Sequence, residues 1–222
     1  WHRALGLDPE RLQFHPHGPG ELAHYARAAV DIQYRFPFGW QEVEGIHNRG
    51  DYDLGRHQQF SGKDLTYFDD GEKKRYLPNI VETSIGPDRL LLACLVDAYH
   101  EEEVEGETRT VLRLSPAVAP YQAAVFPLVN RDGMPERARL VAQDLRARWR
   151  VYYDEKGAIG RRYRRQDEAG TPYCLTVDGQ TAQDGTVTLR DRDTMKQERV
   201  STAELPEAIA ARLKTACPIL SF

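Results

Sequence analysis

Apolar and polar positions in the first half of the chain alternate as in strands before they take up a helical spacing. Over 39–54 the alternation has a period of two, which would place Glu42 and Glu44 on the same strand face. The stretch 73–86 is predicted to be the next strand. The stretch 87–103 is predicted to be a helix, with Leu91, Leu95 and Ala98 forming a stripe toward the core.

The predicted strand and helix meet at Gly86-Pro87. Proline suits the first turn of a helix, because the backbone N–H that it lacks would have no partner there. Two acids, a hydroxyl and an arginine surround the junction, namely Glu82, Ser84, Asp88 and Arg89. Such a group can form a ligand site, or it can belong to an ordinary strand–turn–helix whose charges face water. The residues alone leave both interpretations open.

The second half of the chain alternates strands with helices. Strands are predicted over 121–129, 150–155 and 172–177, a hairpin around Asp193 over 185–200, and helices over 134–149, 157–170 and 201–216. The first helix should turn Leu140, Val141 and Leu145 inward, and the last should begin with a Ser or Thr cap. This order predicts a compact α/β domain with a mixed sheet.

An acidic stretch and a proline-bounded stretch join the two halves. Residues 101–110 are typical of a solvated hairpin or loop, and 111–120 ends in Pro-Ala-Val-Ala-Pro, which suits a stiff connection. We therefore predict two domains, 1–113 and 114–222. The net charge of −4 divides unevenly, with 13 basic and 20 acidic side chains in the first domain and 17 and 14 in the second. The basic second domain suggests a polyanionic partner.

Composition is ordinary for a globular protein, with 41% hydrophobic and 29% charged residues. No apolar run approaches the roughly 18 residues of a membrane span, and no signal-peptide pattern is present. The first residue is not Met, so we expect a processed chain or a piece of a longer one.

Cys94, Cys174 and Cys217 are odd in number and far apart, which favours free thiols in a reducing cytoplasm over a zinc ribbon or disulfides.

Five stretches in one continuous order resemble glycyl-tRNA synthetase of the class II, dimeric type. They are 34–57, 76–95, 114–128, 159–178 and 186–200. The resemblance covers nearly the whole chain but only the C-terminal half of such an enzyme. It implies a fold class of α/β and α+β. The C-terminal part of an antiparallel-sheet catalytic domain (1–113) would be followed by a small mixed-sheet anticodon-binding domain (114–222).

By this resemblance, the segment Val-Glu-Thr-Ser-Ile-Gly-Pro-Asp-Arg is similar to the third class II signature motif, which forms the floor of the aminoacyl-adenylate site. It implies a glycine pocket of Glu82, Thr83, Ser84, Ile85 and Gly86, and an ATP site of Glu42, Val43, Gly86, Pro87, Asp88 and Arg89. The arginine can stack on adenine or neutralise phosphate. A carboxylate beside phosphates requires Mg²⁺, which the family uses. Thr83 and Ile85 depart from the common family residues, so glycine specificity does not rest on them alone.

The second domain resembles an anticodon-binding domain, which implies tRNA-Gly as a partner. The residues implied in RNA contact are Arg161, Arg162, Arg164 and Arg165 on a helix, and Arg190 and Arg192 on a hairpin. The alternative is that these arginines only pair with neighbouring acids, namely Asp167, Glu168, Asp191 and Asp193.

Several histidines carry weaker signals. His15 and His17 could suggest a metal pair, but a His-x-His on a loop is usually solvated, and we predict no metal site. We interpret His47, His57 and Asp51 as structural, since the chemistry of the family needs no protein general base.

The first two signature motifs of the family are not found in this sequence, so we expect little or no glycine activation by the chain alone. Three hypotheses follow. The chain is the C-terminal portion of a cytoplasmic, homodimeric glycine-activating ligase, or a non-catalytic nucleic-acid-binding paralogue, or a subunit completed by a separately encoded N-terminal half. The sequence does not separate the first hypothesis from the third.

Overall fold

The structure is a computed structural model and describes residues 1–217. Two short 3-10 helices, His2–Leu5 and Pro9–Arg11, lie near the start of the chain. The strands are β1 (Leu12–Pro16), β2 (Ala28–Phe36), β3 (Gly39–Gly50), β4 (Tyr67–Asp69), β5 (Lys74–Tyr76), β6 (Ile80–Ile85), β7 (Tyr99–Val104), β8 (Glu107–Leu112), β9 (Ala123–Pro127), β10 (Val151–Tyr153), β11 (Tyr173–Val177), β12 (Thr186–Asp191) and β13 (Gln197–Ser201). The α-helices are α1 (Tyr52–Ser61), α2 (Pro87–Ala98), α3 (Met134–Arg146), α4 (Ile159–Ala169), α5 (Thr181–Asp184) and α6 (Leu205–Ala216).

The described residues cluster into two compact units. The N-terminal unit is Asp8–Ala93, and the C-terminal unit consists of Trp1–Leu7 and the chain from Cys94 onward. These units group residues by proximity, so the domain boundary predicted between 113 and 114 stays a prediction. Residues 218–222 of the predicted second domain lie outside the described residues.

The N-terminal unit contains an antiparallel four-stranded sheet with the order β1-β2-β3-β6. A bulge interrupts the pairing of β2 with β3, since Ile32 pairs with Glu44 and Gln33 pairs with Glu42. Val43 is therefore an extra residue, and the alternation of faces shifts by one. The prediction that Glu42 and Glu44 share a face is wrong. Glu42 is exposed, whereas Glu44 is buried.

Helix α2 begins at Pro87, as predicted, but it ends at Ala98 and not at 103. The residues after it form the hairpin β7–β8, which is one of the two structures predicted for 101–110. The predicted stripe is wrong for Leu91 and Leu95, which are 58% and 37% exposed, and right for Ala98. Large apolar side chains are exposed across the N-terminal unit, including Phe14, Phe38, Phe60, Val81 and Leu92.

The C-terminal unit is built on a mixed five-stranded sheet with the order β10-β9-β11-β12-β13. Strands β10, β9 and β11 are parallel, and β12 and β13 extend the sheet in antiparallel fashion. Side chains of α3 and α6 bury the principal core against the sheet. Helix α4 contributes Ile159 and Tyr163 to a second cluster with Ala124, Phe126 and Cys174. The predicted mixed α/β architecture is confirmed.

Two details of the predicted helices differ from the structure. Helix α3 buries Met134, Ala138, Ala142 and Leu145. Leu140 is 61% exposed, because two residues along a helix from Ala138 lead to the opposite side. The N-cap of α6 is Glu204 with no side-chain cap hydrogen bond, so the predicted Ser or Thr cap is wrong.

All three cysteines are free and buried. Burial raises the pKa of the Cys174 thiol to about 12, so this thiol stays protonated and unreactive near neutral pH. Within the described residues, no helix has the length and apolar character that a membrane span requires.

Candidate functional site

The junction between β6 and α2 lies at the edge of the antiparallel sheet. Strand β6 pairs with β3 so that Glu82, Thr83 and Ser84 lie opposite His47, Ile46 and Gly45. Thr83, Ser84 and Gly86 are exposed, and Glu82 and Ile85 are half-buried. The five residues predicted for the glycine pocket thus form a strand end, Glu82–Gly86, in which Glu82 and Ser84 lie on one face of β6, Thr83 and Ile85 lie on the other, and Gly86 follows the strand.

Arg89 joins the first turn of α2 to the bulged part of β3. Its Nη1 donates a hydrogen bond to the Glu42 carbonyl oxygen at 2.5 Å. Pro87 and Asp88 lie exposed in the same turn, and Val43 is buried beside Glu42. The structure therefore brings together the two sequence segments that were predicted to bind ATP.

Arg49 is a member of this site that the sequence interpretation missed. Its guanidinium binds both carboxylate oxygens of Asp53, at 2.6 and 2.9 Å, and donates from Nη1 to Glu82 Oε2 at 2.6 Å. The guanidinium carbon lies 3.9 Å from the centre of the Tyr25 ring. Arg49 lies in β3 and Asp53 in the first turn of α1, so the pair depends on the turn between the two elements, and no helical spacing signals it in the sequence.

Arg49 orients the Glu82 carboxylate and leaves it able to accept hydrogen bonds from a ligand. Arg49 occupies Oε2, and an ionised carboxylate has further acceptor positions. The junction therefore offers an anionic acceptor at Glu82 and, on the adjoining helix, a cationic donor at Arg89. Such a pair suits a ligand that carries both an ammonium group and a phosphate or carboxylate group.

Three histidines of the N-terminal unit, His15, His17 and His47, lie near one another. The ring centroids of His15 and His17 are 6.4 Å apart, and those of His17 and His47 are 6.2 Å apart. His17 Nε2 lies 2.8 Å from Asp31 Oδ2, and this hydrogen bond raises the pKa of His17. Among the described residues, no group of three His, Cys, Asp or Glu is arranged to hold a metal ion.

In the C-terminal unit, Asp167 on α4 lies at the centre of a buried ion-pair network. Its two oxygens accept hydrogen bonds from Arg190 at 2.8 and 3.0 Å, and Oδ2 accepts another from Arg109 Nε at 2.9 Å. Arg109 also pairs with Glu102 and donates to the Arg192 carbonyl oxygen at 2.6 Å. The network joins β8, α4 and β12.

Arg192 and Arg162 are also buried and bind groups of their own unit. Arg192 donates to the carbonyl oxygens of Leu114 and Gly170 at 3.0 and 2.8 Å, and it pairs with both oxygens of Asp193. Arg162 donates to the Pro127 carbonyl oxygen at 2.6 Å. The pairings of Arg190 with Asp167 and of Arg192 with Asp193 are those that the alternative interpretation named. Contact of these three arginines with RNA stays a prediction.

The other three predicted RNA-binding arginines lie on the outer side of α4. Arg164 pairs with Glu107 at 3.1 Å, and Arg165 pairs with Asp154 at 2.5 Å. Arg161 is exposed, and its side chain makes no hydrogen bond or ion pair within residues 1–217. Their guanidinium groups are accessible to a polyanion in a way that those of the buried three are not.

Comparison with known proteins relates both units to one group of enzymes. Residues 122–212 match the anticodon binding domain family. The chain is 51% identical to the glycine–tRNA ligase of Caldanaerobacter subterraneus subsp. tengcongensis, over 96% of this chain and 46% of the relative. It is 52% identical to that of Borrelia hermsii, over 90% and 46%, and 47% identical to that of Treponema denticola, over 96% and 49%. The chain spans about half the length of the curated relatives it matches.

We expect Asp167→Asn to destabilise the C-terminal unit strongly. The substitution leaves Arg190 without an acidic partner among the described residues and Arg109 paired with Glu102 alone, and breaking a buried ion pair costs about 3–5 kcal/mol. Urea denaturation measures the free energy of unfolding. Glu168→Gln, at an exposed neighbour on α4, is the control and should change it by less than about 0.5 kcal/mol. Equal stability of the two variants would contradict the assignment.

We expect Arg49→Met to raise the pKa of Asp53. In the native protein the hydrogen bond from Arg49 holds this pKa below its usual value, against the opposing effect of burial. The pair therefore stabilises the fold above the unfolded pKa of Asp, and this stabilisation is lost as pH falls through the lowered pKa. Carboxyl NMR titration measures the shift. Asp64, whose pKa is lowered mainly by Thr66, is the internal control and should not move.

Proposed function

We propose that this chain, which contains an anticodon-binding domain, is the C-terminal portion of a class II glycine–tRNA ligase. The observation that carries the proposal is its identity of about 50% to curated glycine–tRNA ligases over more than nine-tenths of its length. The reaction joins glycine and ATP as glycyl-adenylate with release of pyrophosphate. The glycyl group then passes to tRNA-Gly with release of AMP. We further propose that the complete enzyme acts in the cytoplasm as a homodimer.

In this proposal the strand end Glu82–Gly86 receives glycine. The Glu82 carboxylate, oriented by Arg49, pairs with the ammonium group of the substrate. The Ser84 hydroxyl offers a further hydrogen bond beside it. A pocket that fits only the hydrogen side chain of glycine excludes larger amino acids by steric clash. Such exclusion discriminates more strongly than a pocket that must reject a substrate lacking one methyl group.

The first turn of α2 and the bulge of β3 receive ATP. Arg89, which donates a hydrogen bond to the Glu42 carbonyl oxygen, would stack on adenine or neutralise phosphate charge. Mg²⁺ is commonly held by one or two carboxylates together with substrate phosphates, and the exposed Glu42 carboxylate fits that role. The ion, when bound, would neutralise charge on the phosphates. Preorganised charge of this kind is the main contribution that such a site makes to catalysis.

The C-terminal unit receives tRNA in this proposal. The accessible guanidinium groups on α4 would contact phosphates of the anticodon arm, and the mixed sheet with its buried network would hold α4 in place. Substitutions at the junction of β6 and α2 should therefore affect glycine activation, and substitutions of the α4 arginines should affect tRNA binding.

Glycine-dependent exchange between ATP and pyrophosphate tests the catalytic assignment. We expect exchange when the chain is combined with the N-terminal half of a relative, and a rate lower by about 10²–10³-fold with Arg89→Ala, the loss typical of one charge-stabilising donor. Arg56→Ala, an exposed arginine on α1, is the matched control and should leave the rate unchanged. Absence of exchange in every combination, with tRNA binding retained, would favour the non-catalytic paralogue.

The salt dependence of tRNA binding tests the second site. We expect the triple variant Arg161→Gln, Arg164→Gln and Arg165→Gln to bind more weakly and to lower the slope of log affinity against log salt by up to about 3, because each lost phosphate contact lowers it by roughly one. The control removes three exposed charges from the N-terminal unit, at Lys63, Lys73 and Lys74. An equal loss in both triple variants would show that only net charge matters.

A further inference from the structure

A groove of about 440 Å³ lies in the C-terminal unit, apart from the arginines of α4. The end of α3 and the turn that follows it form one wall, over 146–150, and Pro116, Ala117 and Gln122 form the other. Three arginines line the groove, and no acidic residue does. The residue types alone make this groove suitable for an anion.

Gln122 fixes the two walls of the groove. It is 5% exposed, and its backbone N–H donates to the Arg150 carbonyl oxygen at 2.9 Å while its Oε1 accepts from the Arg150 N–H at 3.1 Å. Its side-chain Nε2 donates to the carbonyl oxygens of Pro116 and Ala119 at 3.1 and 3.3 Å. The groove is therefore held open by hydrogen bonds within the unit, and a ligand does not have to form it.

The three arginines of the groove keep donor capacity. Arg146 donates to the Val151 carbonyl oxygen and Arg150 to that of Ala119, and neither pairs with a carboxylate among residues 1–217. Arg148 pairs with Glu207 at 3.3 Å, but both side chains are more than half exposed, where such a pair is weak. Arg146 suits the carboxyl end of α3, where a helix favours cations. Arg148 and Arg150 lie beyond the helix, and that explanation does not extend to them.

Trp149 supplies a separate indication of a ligand. It lines the groove, is 7% exposed, and its indole Nε1 has no hydrogen-bond partner in the described part of the chain. Buried polar groups are nearly always hydrogen-bonded in native proteins, and one that is not calls for an explanation. The nitrogen is itself buried, so the indole must shift toward the groove before an acceptor oxygen there can become its partner.

We propose that this groove binds a phosphate group, held by Arg148 and Arg150 with the Trp149 indole N–H as a further donor. Guanidinium groups match the oxygens of a phosphate in charge and in geometry. The phosphate could belong to the RNA backbone or to a free phosphate compound. The RNA source rests on the proposed function, since it assumes that this unit binds tRNA, whereas the phosphate site itself does not.

The Trp149 indole N–H gives a direct readout. The chain has three tryptophans, so its indole signals are readily resolved in a nitrogen-proton NMR spectrum of the full chain. We expect the Trp149 signal to shift on titration with pyrophosphate, with an RNA hairpin of the anticodon arm, or with both. A shift with pyrophosphate and not with RNA identifies a free phosphate compound as the ligand, and a shift with RNA alone identifies the nucleic acid backbone.

The double variant Arg148→Gln and Arg150→Gln should weaken the titrated interaction by about tenfold or more, since each guanidinium makes charge-assisted contacts. The matched control is Arg131→Gln with Arg137→Gln, two exposed arginines of the same unit outside the groove, and it should retain the native affinity. The spectrum of each variant also reports whether it is folded.

Two results would overturn the groove assignment. One is a Trp149 signal that moves with neither probe, and the other is an equal loss of affinity in the double variant and its control. If RNA binds and neither RNA nor pyrophosphate moves the Trp149 signal, the groove is excluded as a phosphate site and the proposed function still stands. Pyrophosphate that moves the signal while tRNA fails to bind would support the groove and contradict the proposed function.

Discussion

The buried carboxylate of Asp167 is the constraint on which the C-terminal unit depends. An isolated charge in a protein interior is very unfavourable, so Asp167 must lie where Arg109 and Arg190 can both reach it. Because these three residues belong to α4, β8 and β12, the requirement fixes the helix against the sheet and the hairpin. One side of α4 is thereby committed to the interior, with Arg162 and Gln166 buried beside Asp167. The opposite side is left to present Arg161 and Arg165 to solvent.

The N-terminal unit uses an arginine in a comparable way, but at its surface. Arg49 connects Asp53 and Glu82 across β3, α1 and β6, and its guanidinium rests against Tyr25. Its geometry sets the direction of the Glu82 carboxylate at the junction. The bulge at Val43 then separates two acids that a regular strand would have placed together. Glu42 stays exposed near Arg89, and Glu44 is buried.

The predicted elements are correct where local sequence signals agree with one another. The predicted buried faces are wrong where contacts with residues distant in sequence decide which side of a helix is covered. Pro87 fixes the start of α2, and the alternation of strands and helices after residue 121 gives the mixed sheet. The interpretation placed Leu91 and Leu140 in the core because helical spacing shows that a stripe exists. Spacing does not show which stripe meets a neighbour. Small residues such as Ala138 and Ala142 line the close contact of α3 with the sheet, and their low hydrophobicity conceals this from the sequence.

The sequence by itself determined the order of the main elements after residue 121, the strand–turn–helix junction near residue 85 and the unequal charge of the two halves, because these follow from local propensity and composition. Only the tertiary structure decided what each arginine does. The six arginines lie in two short segments and cannot be told apart by residue type. Three of them are buried, namely Arg162, Arg190 and Arg192, and the other three are accessible, namely Arg161, Arg164 and Arg165. The partners of the buried group come from positions as distant as Arg109 and Leu114. Burial and ion pairing depend on distance in space, and one sequence read along its length does not contain that distance.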